Sequence, residues 1–150
     1  MTHEVTKVYG HENGWACVFR QHRASSHCRF LHGYALAFAL TFECDELDYC
    51  NWVIDFGGLK RVKEILQNTF DHRTLVATDD PMLETIYAGM HKAGLANVLV
   101  VRATGCEAFA EFAAQLVGEW LKESGHGKRV KLKSVKVSEH PGNSATYYPT

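Results

Sequence analysis

The stretch 19-FRQHRASSHCRFLHGYALAF-38 places His22, His27, Cys28 and His32 within a dozen residues, with Arg23 and Arg29 between them. Residues two apart on a strand face the same way, so His32 and Tyr34 project together. His22, at the end of the preceding hairpin strand, lies across from them. Two histidines and a third donor form the catalytic zinc pattern, which leaves a position open for water or substrate. The competing reading is that His22 and His32 are turn or core histidines with ordinary hydrogen bonds. Cys28 stands in a polar loop beside Arg23, His27 and Arg29. Cationic neighbours favour the thiolate, which is the reactive form of cysteine. Cys17, Cys44, Cys50 and Cys106 read instead as small apolar residues.

Three further positions carry candidate chemistry. In Asp71-His72 a carboxylate beside an imidazole sets the tautomer and raises the basicity, as in a general acid/base pair. At a helix end the same dipeptide also serves as a charge cap. Glu107 reads either as the third residue of a capping box or as a ligand-binding carboxylate, and Glu139 either as a solvated strand-end residue or as the same kind of anchor. Carboxylates hold a 2-amino-pyrimidinone edge through two parallel hydrogen bonds, as they hold guanidinium groups.

These residues need elements to position them. Residues 15–22 form a short strand rich in aromatic and β-branched types. In residues 34–44, Tyr34, Leu36, Phe38, Leu40 and Phe42 alternate with small residues, which predicts one long strand with 23–33 as the hairpin connection. After an extended piece at Val53, Ile54 and Phe56, Gly57-Gly58 break the chain, and Leu59, Val62, Ile65, Leu66 and Phe70 follow at helical spacing. Residues 97–104 predict a strand and 107–124 a second helix, with Thr104 as N-cap, Glu107 at N3 and Gly125 as the C-terminal stop. Residues 129–140 alternate Val and Leu with Lys and Ser as a half-exposed strand. The order predicts an α+β domain with helices on one face of an antiparallel sheet.

The totals bound the classes. One hundred and fifty residues without a repeat or a low-complexity segment predict a single domain over 1–150. The chain is 46% apolar and 22% charged with a net charge of −1, so it lacks the basic face that nucleic acid or an anionic membrane requires. Five cysteines without paired spacing argue against a disulfide framework. No run approaches the length of a membrane span and the first residues have no apolar signal core, so a cytoplasmic setting is expected.

Six segments in order resemble the 6-pyruvoyltetrahydropterin synthase / 6-carboxytetrahydropterin synthase family. FRQHRA is similar to its F-x-A-x-H-R segment and CRFLHGY to C-x-x-x-H-G-H. WVIDFGGLK resembles V-x-D-F-x-x-L-K, and FDHRTL resembles L-D-H-x-x-L. TGCEAFAEF resembles the P-T-x-E-x-x-A helix start, with one residue more between Thr104 and Glu107, and VSEHPGNSATYY resembles the closing V-x-E-T…A-x-Y strand. The resemblance implies a tunnelling (T-) fold: a four-stranded antiparallel sheet with two helices on one face, closing with other copies into a trimeric barrel and a hexamer. It also implies a pterin substrate, 7,8-dihydroneopterin triphosphate, and a zinc ion. Carried over by position, His22 and His32 are zinc ligands and Cys28 abstracts a proton. Asp71 and His72 form the acid/base pair, reached across a subunit boundary, and Glu107 and Glu139 anchor the pterin. The chain departs from the pattern at Tyr34, which stands where the family has its third ligand histidine. Three options follow: Tyr34 ligates as a phenolate, His27 substitutes, or zinc is absent.

Overall fold

A computed structural model describes all residues from Met1 to Thr150. Its larger sheet is built from β1 (His3–Tyr9), β4 (Ala37–Cys44), β7 (Lys131–His140) and β8 (Asn143–Tyr147), antiparallel throughout in the order β1-β4-β7-β8. A second sheet has the order β3-β2-β5-β6, from β2 (Ala16–Phe19), β3 (His32–Ala35), β5 (Arg73–Ala77) and β6 (Val98–Val101). There β2 pairs with β3 antiparallel, but the β2–β5 and β5–β6 pairs are parallel. Helix α1 spans Lys60–Phe70, a short α2 spans Leu83–Ile86, and α3 spans Cys106–Glu123. The architecture is α+β with a four-stranded antiparallel sheet, as expected.

The alternation of β4 builds the core. Phe38, Leu40, Phe42 and Cys44 are buried, whereas Ala39, Thr41 and Glu43 are half-exposed. Val135 and Val137 of β7 join them, and α3 covers β7 and β8 with α1 packed beside it. Aromatic rings then run in a chain through this core. Tyr9 meets Trp15, Trp15 meets Phe38, Phe38 meets Phe70 at 5.0 Å, and Phe70 meets Phe109 at 5.6 Å. Phe109 stands edge-on to Phe19 at 5.0 Å, and Phe19 carries the chain of contacts out to His32 and Tyr34. Such pairs contribute about 0.5–1.5 kcal/mol each beyond their buried area, so the core fixes the base of the hairpin that holds the candidate residues.

Two expectations are corrected, and two strands are added. The strand predicted over 34–44 is broken at Leu36, whose N–H bonds to Trp15 O at 3.2 Å, so that β3 and β4 belong to different sheets. The alternation continues through the break because Leu36 is itself fully buried. Thr104 does not cap α3: the N-cap is Gly105 at φ 107°, and the Thr104 hydroxyl donates instead to Arg20 O at 2.7 Å. The N-terminal strand β1 and the parallel strand β5 were not expected at all. Gly125, by contrast, adopts the left-handed φ of 80° that ends α3 as predicted.

The connection between β2 and β3, residues 20–31, is held from outside. Arg20 donates to both oxygens of Asp80 at 2.8 and 2.6 Å and to Arg29 O at 3.0 Å. Asp80 also accepts from Met82 N at 2.9 Å, and its side chain is 2% exposed. The Arg20 hydrogen bond, joined by that from Met82 and the guanidinium charge, holds the Asp80 carboxyl below the usual carboxylate range. A lowered folded pKa contributes stability that is complete above the unfolded value and is lost as pH falls through the folded one. Asp80→Asn is therefore expected to lower unfolding stability by roughly 3 kcal/mol in urea titrations at neutral pH. The gap between wild type and variant should close as pH falls below about 4.

Candidate active site

The connecting segment turns at a short 3-10 helix, His27–Arg29, where Ser26 Oγ accepts from Cys28 N at 3.4 Å. Gln21 N bonds to Cys28 O at 2.8 Å, which draws the Cys28 end of the segment back onto β2. Cys28 is half-buried, while His27 is exposed and makes no hydrogen bond through its ring. His32 and Tyr34 share a face of β3, as period two requires, with ring centroids 5.5 Å apart. Both rest on Phe19.

Tyr34 marks where the candidate residues meet. Burial first, then the negative charges of Glu139, Cys28 and Cys106, raise its hydroxyl above the usual tyrosine range. The phenol thus keeps its proton and is a hydrogen-bond donor. Cys106 is pushed up to about 12 by burial and by the charges of Glu139 and Glu107. Both candidate anchoring carboxylates therefore lie within electrostatic reach of one buried thiol. Gly105 leaves the space beside Gln21 and Glu107 open: a Cβ there would stand 3.3 Å from Gln21 Nε2 and 3.6 Å from Glu107 Oε2. Gln21 in turn donates to Thr104 O at 2.9 Å, tying the connecting segment to the start of α3.

Asp71 and His72 lie at the end of α1. His72 takes a left-handed φ of 57°, a strained choice for a side chain that is not glycine. Its N–H bonds to Ala16 O at 2.6 Å, and its Nδ1 donates to Asp71 Oδ1 at 2.7 Å. That bond leaves Nε2 as the lone-pair nitrogen on a side chain 84% exposed. His72 and Tyr34 line one groove of about 690 Å³, together with Cys17, Gly33, Arg73, Thr74 and Asn97.

The zinc expectation meets a shortfall in donors. His32 Nδ1 donates to Phe30 O at 2.7 Å, and His22 Nε2 donates to Asp79 Oδ1 at 3.1 Å, so each ring keeps one free nitrogen. Asp79 is also held by Arg23 at 2.5 Å, and the His22 bond with the Arg23 charge keeps its carboxyl below the usual range. No three of histidine, cysteine, aspartate and glutamate come together to hold a metal, around His27 or elsewhere. The third position is the phenol of Tyr34. Within this chain the donor set does not fit a three-ligand zinc site.

Sequence reasoning missed Gln21, Asp79 and Asp80, whereas its reading of Cys106 as a small buried residue holds. The signal for the two aspartates was charge complementarity: Arg20 and Arg23 in the opening stretch needed partners, and 77-ATDDP-81 supplies adjacent carboxylates.

Residues 10–150 match the family described as 6-pyruvoyl tetrahydropterin synthase. The chain belongs to that family. It is 25% identical over 159 aligned residues to the 6-carboxy-5,6,7,8-tetrahydropterin synthase of Aquifex aeolicus, with 98% of each chain covered. Its fold resembles that of an uncharacterised protein of Wolinella succinogenes, with a TM-score of 0.83, 21% identity, and 100% and 99% of the two chains covered. It also resembles the 6-pyruvoyl tetrahydropterin synthase of Plasmodium vivax, with a TM-score of 0.71, 15% identity, and 99% and 98% covered. Both likenesses identify the T-fold. Family membership supports a pterin synthase-type lyase as the class of activity. No helix is long and apolar enough to cross a membrane.

Two outcomes check this geometry. A thiol reagent should modify Cys28 and Cys50 in the native protein, and Cys17, Cys44 and Cys106 only after denaturation, because the last three are buried. Tyr34→His adds the missing imidazole. Zinc titrations should show the variant binding the metal at least about tenfold more tightly than wild type.

Proposed function

We propose that the chain is a 6-carboxy-5,6,7,8-tetrahydropterin synthase-type lyase. It converts 7,8-dihydroneopterin triphosphate and one water to 6-carboxytetrahydropterin, acetaldehyde and triphosphate, a step toward 7-deazapurines such as the queuosine precursor. The observation that carries this reading is the convergence at Tyr34. The phenol lies within electrostatic reach of Cys28, Cys106 and Glu139, and it shares a groove with the Asp71-supported His72. The likeness to the Aquifex aeolicus enzyme over nearly the whole chain supports it further.

Each residue has a role in that reading. Glu139 and Glu107 accept the N–H donors of the 2-amino-pyrimidinone edge, the paired geometry that carboxylates offer. Cys28, as thiolate, takes the proton from the side-chain carbon next to an oxygen. Tyr34 donates its phenolic hydrogen to that oxygen, so that charge developing there meets a hydrogen bond. His72, its Nδ1 held by Asp71, returns or relays the proton through Nε2.

A second reading follows from the incomplete donor set. Without a third metal ligand beside His22 and His32, the same pocket serves a paralogue that binds a pterin or purine without turnover. Incubation of the purified protein with 7,8-dihydroneopterin triphosphate separates the two. The lyase reading expects 6-carboxytetrahydropterin and acetaldehyde, and a loss of turnover of about 100-fold or more in Cys28→Ala. A pyruvoyl product without acetaldehyde would shift the assignment to triphosphate elimination alone. Binding without any product would establish the second reading.

A further inference from the structure

Arg73 follows the Asp71–His72 pair directly and lines the same groove. Its surroundings differ from those of the other arginines. Arg20, Arg23, Arg61, Arg102 and Arg129 each have a carboxylate within 4.0 Å, and Arg29 is satisfied by the carbonyls of Ser25 and Ser26. Arg73 forms no ion pair. Its one hydrogen bond runs from Nη1 to Asn97 Oδ1 at 2.8 Å. Its Nε is buried and has no partner, the sole buried side-chain nitrogen or oxygen left so.

An unmet buried donor costs about 1–3 kcal/mol, and more when it is charged. No aspartate or glutamate lines the groove; Arg73 is its only fixed charge, with His72 beside it. The Asn97 carboxamide occupies one end of the guanidinium and leaves Nε and Nη2, its other edge, without a protein partner. That edge is a planar fork whose spacing matches two oxygens of one phosphate or carboxylate. The register places the fork with care: Arg73 pairs with Cys17 across β5 and β2, and Cys17 pairs with Tyr34 across β2 and β3. The cation, the thiol and the phenol therefore occupy one row across three strands.

We propose that Arg73 is an anion-binding subsite of the groove, taking the phosphate oxygens of an oligophosphate chain. The proposal rests on the pterin-lyase reading for the identity of that chain, the triphosphate of the substrate, while the subsite itself rests on the geometry of Arg73. The placement has a chemical consequence. A triphosphate leaving group held at Arg73 lies one residue from His72, so the charge that appears as the C–O bond breaks is met by a guanidinium. His72, once Nε2 has taken up the proton removed from the side chain, is placed to pass it to the departing oxygen. Asn97 is a positioning residue, which fixes one end of the guanidinium so that the fork faces the ligand.

The test is titration of the full-length protein with inorganic triphosphate by calorimetry, in wild type, Arg73→Gln and Arg73→Lys, with phosphate-free 7,8-dihydroneopterin as the second ligand. Wild type is expected to bind triphosphate. Arg73→Gln should weaken it by about 10- to 100-fold. Arg73→Lys, which keeps the charge but not the fork, should fall between them and guards against a folding defect in the glutamine variant. Affinity for dihydroneopterin should be the same in all three. Failure of wild type to bind triphosphate, or equal binding by Arg73→Gln, would overturn the subsite. Turnover of dihydroneopterin triphosphate with kcat/KM unchanged in Arg73→Gln would also overturn it, while leaving the lyase reading intact. Triphosphate binding that depends on Arg73, in a protein that turns over no pterin, would sustain the subsite and remove the lyase.

Discussion

The fork of Arg20 on the buried carboxylate of Asp80 is the constraint on which the rest of the site depends. Residues 20–31 join two short strands, are largely exposed, and have few backbone bonds of their own. Such a segment would ordinarily sample many conformations, at roughly 1–2 kcal/mol of entropy for each residue held still. Here both ends of the guanidinium are used: two bonds to Asp80 and one to Arg29 O, beside Cys28. Asp79 adds His22 and Arg23 to the same anchor. Thr104 and Gln21 bind the segment to the entry of α3. The polar site therefore depends on two anchors, residues 78–82 and the entry of α3, of which the first touches none of the proposed chemistry.

From the other side, the segment is supported by the aromatic chain that ends at Phe19. That ring is buried against Phe109 and offers its outer faces to His32 and Tyr34. The apolar core thus sets the direction of the β3 side chains, and the ion pair sets the reach of the connecting segment. A site assembled in this way places Tyr34 where burial, and after it nearby negative charge, keeps its phenol protonated, so that a tyrosine at this position works as a hydrogen-bond donor. The same burial leaves Cys17 and Cys106 as thiols, with Cys17 pushed up to about 12. Cys28, half-buried at the loop turn, is the cysteine of the candidate site that is left open to reaction.

Much of this was legible in the residues. The period of two at His32 and Tyr34, the helix ending at Phe70 and the Asp71-His72 dipeptide following it all appear in the structure where the spacing placed them. Glu107 and Glu139 could be tied to one site only through the resemblance, because nothing local links a helix start to a strand end more than thirty residues away. The second sheet was not legible. The run Thr74–Ala77 is short and uniformly buried, which is how a parallel strand covered on both faces reads, and its pairing with β2 joins residues more than fifty apart. Thr104 misled for a different reason. Its hydroxyl has two possible partners, a helix N–H or a distant carbonyl, and tertiary packing chose Arg20 O.

The central claim is that one pocket collects a pterin edge at Glu139 and Glu107 and presents its side chain to Cys28, Tyr34 and His72. A crystal structure of the protein with bound 7,8-dihydroneopterin measures this directly. The account predicts the 2-amino group within hydrogen-bonding distance of Glu139 and the side-chain hydroxyls between the Tyr34 phenol and the Cys28 thiol, with a His72 imidazole facing them. A pterin seated elsewhere, or one in this pocket with its 2-amino edge turned away from both carboxylates, would contradict it.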